Sequence, residues 1–229
     1  MVNRHGSRKN GPESRGAAVR KRRYAALSGF DNACHEEGFL QIAGVDEAGR
    51  GALAGPVVAA AVILSTDFGL DGVDDSKRLS EKVREGIFDV VIRQSLAVAI
   101  AFGQPRVIDR ENILRVTLMA MHRAVDALRV RPDLVLIDGR DEIHWCGPQR
   151  AVTGGDGKSL SIASASIVAK VARDRAMRRL GRAYPGYGLS RNKGYGTVAH
   201  IAAIEASGPA PVHRRTFLTK IIEKNAAMF

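Results

Sequence analysis

Residues 40–64 read LQIAGVDEAGRGALAGPVVAAAVIL, two apolar runs divided by a glycine-rich segment. Leu40 to Val45 is short and apolar, Pro56 to Leu64 is rich in β-branched residues, and both have the length of strands rather than helices. Separated only by Gly44 to Gly55, they are expected to lie side by side and antiparallel. Two adjacent carboxylates, Asp46 and Glu47, close the first run, and a glycine-framed arginine, Gly49-Arg50-Gly51, follows. Successive strand side chains point to opposite faces, so the two acids serve one site only if the chain turns there, which Ala48-Gly49 permits. Read alone, the pair is most simply a solvated strand end.

Charge gives the pair its context. The 229 residues carry 35 Lys and Arg against 24 Asp and Glu, a formal net charge of +11. Such an excess favours a polyanionic partner, of which nucleic acid is the commonest. A carboxylate repels phosphate, so an acidic centre on a nucleic-acid surface implies divalent cations between the two.

At 45% hydrophobic, the chain is long enough for one α/β domain with a sizeable core. Cys34 and Cys146 lie far apart and form no disulfide framework, which fits a reducing, cytoplasmic setting. Zinc ligation by Cys34, His35, His144 and Cys146 lacks the customary spacings. No apolar run reaches the ~18 residues of a membrane span, so no membrane partner is expected. Met1 to Arg23 is rich in Lys and Arg, holds one acid, Glu13, and has no apolar h-region, which excludes a secretory signal. Residues 1–38 are expected to form a basic, disordered arm, and residues 39–229 the folded domain.

Ser80 reads as an N-cap, with Val83, Ile87, Val90 and Val91 recurring at helical spacing before a strand over Leu96 to Phe102. Asn112 to Leu128 has an apolar helical face, and the strand Leu134 to Ile137 ends at Asp138. Ser159 to Leu180 is a helix whose first half is packed with small residues, able to approach a sheet closely. A loop over Tyr184 to Gly196 and helical segments near Thr197 to Ala206 and Phe217 to Ala227 complete the chain. Asp138 precedes Gly139 and equally suits the start of a turn. Asp156, in Gly154-Gly155-Asp156-Gly157, equally suits the positive end of the next helix. Convergence of all four acids would hold two divalent cations, an arrangement that hydrolyses phosphodiesters.

Rival motifs fit poorly. Gly49 to Gly55 has the wrong spacing for a dinucleotide fingerprint and leads into Pro56 and a strand, not a helix. Gly157-Lys158-Ser159 would end a phosphate-binding loop only with glycine at Val152.

GVDEAGRGALAGPVVAAAVIL, DDSKRLS, LIDG, GDGKSLSIASASIVAKVARDR, YPGYGLSRNKGYGT and HRRTF, in this order over about residues 40 to 220, resemble the ribonuclease HII family. The resemblance implies a ribonuclease H-like α/β fold, a mixed five-stranded sheet flanked by helices with a C-terminal helical extension. It implies hydrolysis of RNA in RNA–DNA hybrids and incision 5′ of single ribonucleotides in duplex DNA, leaving 3′-hydroxyl and 5′-phosphate ends. Asp46, Glu47, Asp138 and Asp156 match the family's metal-binding carboxylates, with Mn²⁺ or Mg²⁺ in a two-metal site. Gly49, Arg50 and Gly51 match its 2′-hydroxyl sensor, and Tyr195 the tyrosine that stacks on the following deoxyribose. Ser76, Lys77 and Lys158 fall in matching motifs as phosphate contacts. Asp174 is either the partner of Lys170 at i,i+4 or a support for the carboxylates. Gly157 stands where the family usually has alanine, and Ser164 replaces another alanine. A monomer is expected. The alternatives are a non-catalytic nucleic-acid-binding protein using the arm and the Arg-rich helix Arg173 to Arg182, and a metal nuclease of the same broad fold without ribose specificity.

Overall fold

The computed structural model describes residues 15–69, 80–219 and 221. Its centre is β1 (Ile42–Ala48), which pairs antiparallel with β2 (Val57–Leu64), as residues 40–64 predict, with Asp46 opposite Ala60. β2 pairs antiparallel with β3 (Ser95–Gly103), while β1 pairs in parallel with β4 (Leu134–Asp138) and β4 with β5 (Gln149–Val152). The sheet is mixed and five-stranded, in the order β3-β2-β1-β4-β5.

The alternation of β2 divides the core. Ala60 and Val62 pack beneath α5 (Leu160–Ala183) with Ala163, Ile167 and Val168. Ala59, Ala61 and Ile63 face Ala120, Met121 and Ala124 of α4 (Ile113–Asp126) on the other side. Small residues set the spacing: a Cβ on Gly44 would fall 2.1 Å from the carbonyl carbon of Ser161, so α5 lies almost directly on the β1 backbone. α2 (Glu81–Gln94), capped by Ser80, packs against α5, where Arg175 and Arg178 pair with Glu85 and Arg178 also pairs with Glu81. In the Arg-rich stretch of α5, Arg175 and Arg178 are thus paired with α2, while Arg179 and Arg182 are exposed. α3 (Pro105–Glu111), α6 (Leu189–Asn192) and α7 (Val198–Ser207, capped by Thr197) complete the helices of the described residues.

The expectation of a disordered arm over residues 1–38 does not hold for its second half. Arg15–Glu36 forms α1, with Leu27, Asp31 and Cys34 buried at i, i+4, i+7. Asp31 Oδ2 accepts from the backbone N of Ser161 at 2.8 Å and from its Oγ at 2.7 Å, seating α1 on the start of α5. The many basic residues conceal that narrow stripe, and tertiary packing stabilises a helix whose composition argues against it. Ser76, Lys77, residues 1–14 and most of the helical segment expected near Phe217 to Ala227 lie outside the described residues.

Candidate active site

Register brings the acids together. β1 and β4 run parallel with Val45 beside Ile137, so the next residues, Asp46 and Asp138, lie side by side on neighbouring strands, Asp138 as the last residue of β4 and Asp46 two residues before the end of β1. Asp46 points toward α5, is 4% exposed, and accepts hydrogen bonds from the Ser166 hydroxyl and, at 2.7 Å, from the Glu47 amide. Two strand residues beyond Gly44 advance the chain about 6.6 Å and five helix residues beyond Ser161 about 7.5 Å, which carries Ser166 over Asp46. Asp138 Oδ1 accepts from the Gly155 amide at 2.6 Å, tying the 3₁₀ turn Gly155–Gly157, and Asp156 with it, to the end of β4.

The cluster repels itself. Burial first, then the charges of Glu47 and Asp138, push the Asp46 carboxyl well above the usual range. Among the described residues no three His, Cys, Asp or Glu side chains are grouped so as to hold a metal ion. A buried carboxylate among further carboxylates, all oxygen donors, suits hard divalent cations such as Mg²⁺ or Mn²⁺. Glu47 is partly neutralised by Arg50, whose Nη1 lies 3.6 Å away. Lys158 is exposed just after the 3₁₀ turn. Asp174 is bound to Lys170 at 2.8 Å and lies 3.6 Å from Arg84 of α2, so the i,i+4 reading describes its contacts.

Beside the carboxylates, the glycine loop is gripped by two buried arginines. Arg214 donates from Nη2 to the Gly49 carbonyl and from Nη1 to that of Arg50, both at 2.8 Å, and from Nε to that of Gly55 at 3.0 Å. Arg173 donates from Nε to the Pro56 carbonyl at 3.0 Å and from Nη2 to that of Ala54 at 3.2 Å. Burial, and then the neighbouring Arg173, lower Arg214 to about 10, so it remains a cation at neutral pH. In a trans peptide the C=O and the following N–H point in opposite directions. With the Gly49 and Arg50 carbonyls turned inward, the amides of Arg50 and Gly51 point outward, on residues that are themselves exposed.

Tyr195 belongs to the same unit. The Gly194 carbonyl accepts from the amides of Leu53 at 2.8 Å and Ala54 at 3.2 Å, and Arg173 lies 5.2 Å from the Tyr195 ring centroid. The tyrosine is 38% exposed, next to the glycine loop.

Residues 43–220 match the sequence model of ribonuclease HII. The chain belongs to the ribonuclease HII family. The ribonuclease HII of Geobacter metallireducens is 53% identical over 188 residues, 82% of this chain and 88% of that protein. That of Geobacter sp. strain M21 is 57% identical over 180 residues, 79% of this chain and 78% of its relative. The crystal structure of ribonuclease H2 from Pyrococcus horikoshii superposes with a TM-score of 0.69 at 26% identity, covering 82% of this chain and 99% of that one. RNase HII from Archaeoglobus fulgidus, solved in complex with PCNA, gives a TM-score of 0.65 at 28% identity over 76% of this chain and 94% of that one. The enzyme is thus a divalent-metal-dependent endoribonuclease with ribonuclease H activity on RNA–DNA hybrids. No helix among its described residues is long and apolar enough to cross a membrane.

Spacing does not single out Ser166, Arg173 and Arg214, which hold Asp46 and the glycine loop, or the buried histidines His200 and His213. Arg214 and His213 lie within HRRTF and Ser166 within the small-residue run, so each sat in a quoted motif. Their partners, however, are backbone carbonyls and buried groups distant in sequence, which spacing does not reveal.

Proposed function

We propose that this ribonuclease HII incises on the 5′ side of single ribonucleotides embedded in duplex DNA, as well as within hybrids, leaving 3′-hydroxyl and 5′-phosphate ends. Asp46, Glu47, Asp138 and Asp156 would hold two divalent cations, Mn²⁺ or Mg²⁺. Such cations, when bound, activate the attacking water and stabilise the leaving oxygen. The protein's own contribution would be to position these carboxylates, with Ser166 and the Gly155 amide orienting Asp46 and Asp138.

The observation that carries the reading is the grip of Arg214 on the Gly49 and Arg50 carbonyls. It fixes the amides of Arg50 and Gly51 outward as donors for a 2′-hydroxyl, so ribose discrimination would be a backbone property. Gly194 joins that loop to Tyr195, which would stack on the deoxyribose that follows the ribonucleotide. Lys158, Ser76 and Lys77 would contact phosphate, positioning the duplex without reading it. Asp174 would act on the site only through its helix. The free thiols Cys34 and Cys146 favour the cytoplasm, and we take the enzyme to act as a monomer.

The test is a labelled duplex with one embedded ribonucleotide beside its all-DNA twin, each with Mn²⁺, Mg²⁺ or EDTA. A metal-dependent cut 5′ of the ribonucleotide, absent from the twin, is expected. Cutting of both duplexes would remove the ribose sensor from the loop. Binding without cutting in either metal would remove the catalytic reading.

A further inference from the structure

Tyr195 is held through its carbonyl as well as its ring. That oxygen accepts from the Thr197 amide at 2.8 Å and lies 2.9 Å from His200 Nδ1. On the far side of the imidazole, His200 Nε2 faces His213 Nε2 at 3.1 Å, and His213 Nδ1 lies 3.1 Å from the Ala210 carbonyl. Both histidines are buried. Carbonyl oxygens only accept, so both Nδ1 atoms must carry hydrogen. The two Nε2 atoms would then present lone pairs to each other unless a third hydrogen lies between them. Every contact of the chain is satisfied only when the two rings share three N–H hydrogens.

Burial pushes both imidazoles toward the neutral form, and the carbonyls of Tyr195 and Ala210 oppose that push. The chain of contacts is a strut. One end is the Tyr195 carbonyl, and the other is the segment Ala210 to Arg214, which lies against the glycine loop through Gly55 N to Val212 O at 2.9 Å and Arg214 N to Leu53 O at 2.8 Å. Neither ring has a contact with the carboxylates, so an effect on the reaction passes through Tyr195 at one end or the glycine loop at the other, and only the first depends on the Tyr195 ring.

We propose that His200 and His213 are positioning residues that fix Tyr195 and thereby set the enzyme's preference for a single embedded ribonucleotide over a continuous RNA strand. This rests on the stacking role proposed for Tyr195. Without the strut, the tyrosine keeps the Thr197 and Arg173 contacts but loses the one that ties its backbone to the C-terminal segment.

The test is the ratio of kcat/KM on a duplex with one ribonucleotide to kcat/KM on a continuous hybrid. Asparagine at 200 places an N–H where Nδ1 stands and keeps the Tyr195 contact, whereas glutamine places one where Nε2 stands and keeps only the His213 contact. Each amide breaks the strut at one joint, so His200→Asn, His200→Gln and Tyr195→Ala are each expected to lower the ratio, Tyr195→Ala by about tenfold, the scale of one lost stacking contact. In the Tyr195→Ala background, His200→Gln should lower it no further. Equal losses on both substrates with His200→Gln, an additive double variant, or a wild-type ratio for His200→Asn or His200→Gln would overturn the proposal. A ratio unmoved by Tyr195→Ala but lowered by His200→Gln would overturn the stacking reading itself, and the proposed route through Tyr195 with it.

Discussion

The Arg173 guanidinium fills the space that a side chain at position 49 would need: a Cβ built on Gly49 falls 1.8 Å from Arg173 Nε. Gly49 also has φ +95°, a conformation that L side chains rarely adopt. Gly49→Ala therefore strains the loop and displaces a buried cation that holds the Pro56 and Ala54 carbonyls. Backbone strain alone costs about 1–3 kcal/mol. The variant should melt at lower temperature and lose most of its discrimination between the ribonucleotide duplex and its all-DNA twin. Wild-type melting and discrimination would mean that the loop is not held as described.

Arg214→Lys keeps the charge and removes the fork. A lysine ammonium is a compact point donor and cannot meet carbonyls of Gly49, Arg50 and Gly55 spread around a planar group. Leaving those carbonyls and a buried charge poorly paired should cost about 3 kcal/mol in denaturant unfolding. If the loop senses ribose, KM for the single-ribonucleotide duplex should rise more than KM for a continuous hybrid, where several riboses are on offer.

Asp138→Asn should separate stability from activity. The amide oxygen can still accept from the Gly155 amide, but one of the charges raising Asp46 is gone. Relief of that repulsion should leave the metal-free protein as stable as wild type or about 1 kcal/mol more so. Cleavage in Mn²⁺ or Mg²⁺ should fall by about two orders of magnitude or more, and the rise in melting temperature on adding Mn²⁺ should shrink. A variant that cleaves normally would remove Asp138 from the metal-binding set.

The hairpin β1–β2 was legible because it depends on local pattern, two apolar runs and a glycine-rich turn, but β1 runs on through Asp46 and Glu47 to Ala48, so the chain does not turn between the two acids. The Lys170–Asp174 pair was legible for the same reason, being one helical turn. β5 was not, because Gln149–Val152 has no apolar run and becomes a strand only by pairing with β4. α1 was hidden by its arginines, since just a few buried positions decide its fate. Arg173 is the clearest case: among the arginines of α5 its spacing suggests a nucleic-acid face, yet it is fully buried on backbone carbonyls. Periodicity shows which face is apolar; it does not show which charge the fold chooses to enclose.

Asp31 gives a pH signature. Burial raises its carboxyl pKa, against hydrogen bonds from Ser159 and Ser161 that lower it. The folded state therefore holds the proton more tightly than the unfolded chain, so this contribution to stability is full below the ordinary carboxyl value of 3.8 and is lost as pH rises through the raised one. Asp31→Asn keeps an oxygen for the Ser161 amide and hydroxyl and removes the titration. Relative to wild type, the variant should gain melting temperature as pH rises from acid to neutral. A constant gap across that range would show that Asp31 does not titrate differently in the two states.

Gly44→Ala tests whether the helix–strand spacing governs the carboxylates. The new methyl would meet the Ser161 carbonyl carbon at 2.1 Å and the Ile162 amide nitrogen at 2.3 Å, both backbone atoms that cannot swing aside. α5 must lift from β1, and overpacking of this kind costs about 1–3 kcal/mol, occasionally more. Ser166 rides on that helix five residues on, so the lift should also draw its hydroxyl away from Asp46. A further fall in activity, with weaker protection against unfolding by Mn²⁺, should therefore accompany the loss of stability. Ser166→Ala, which leaves the spacing intact, should reproduce part of the weakened metal response with a smaller change in melting temperature. If Gly44→Ala lost stability but responded to Mn²⁺ like wild type, the orientation of Asp46 would have to come from β1 alone.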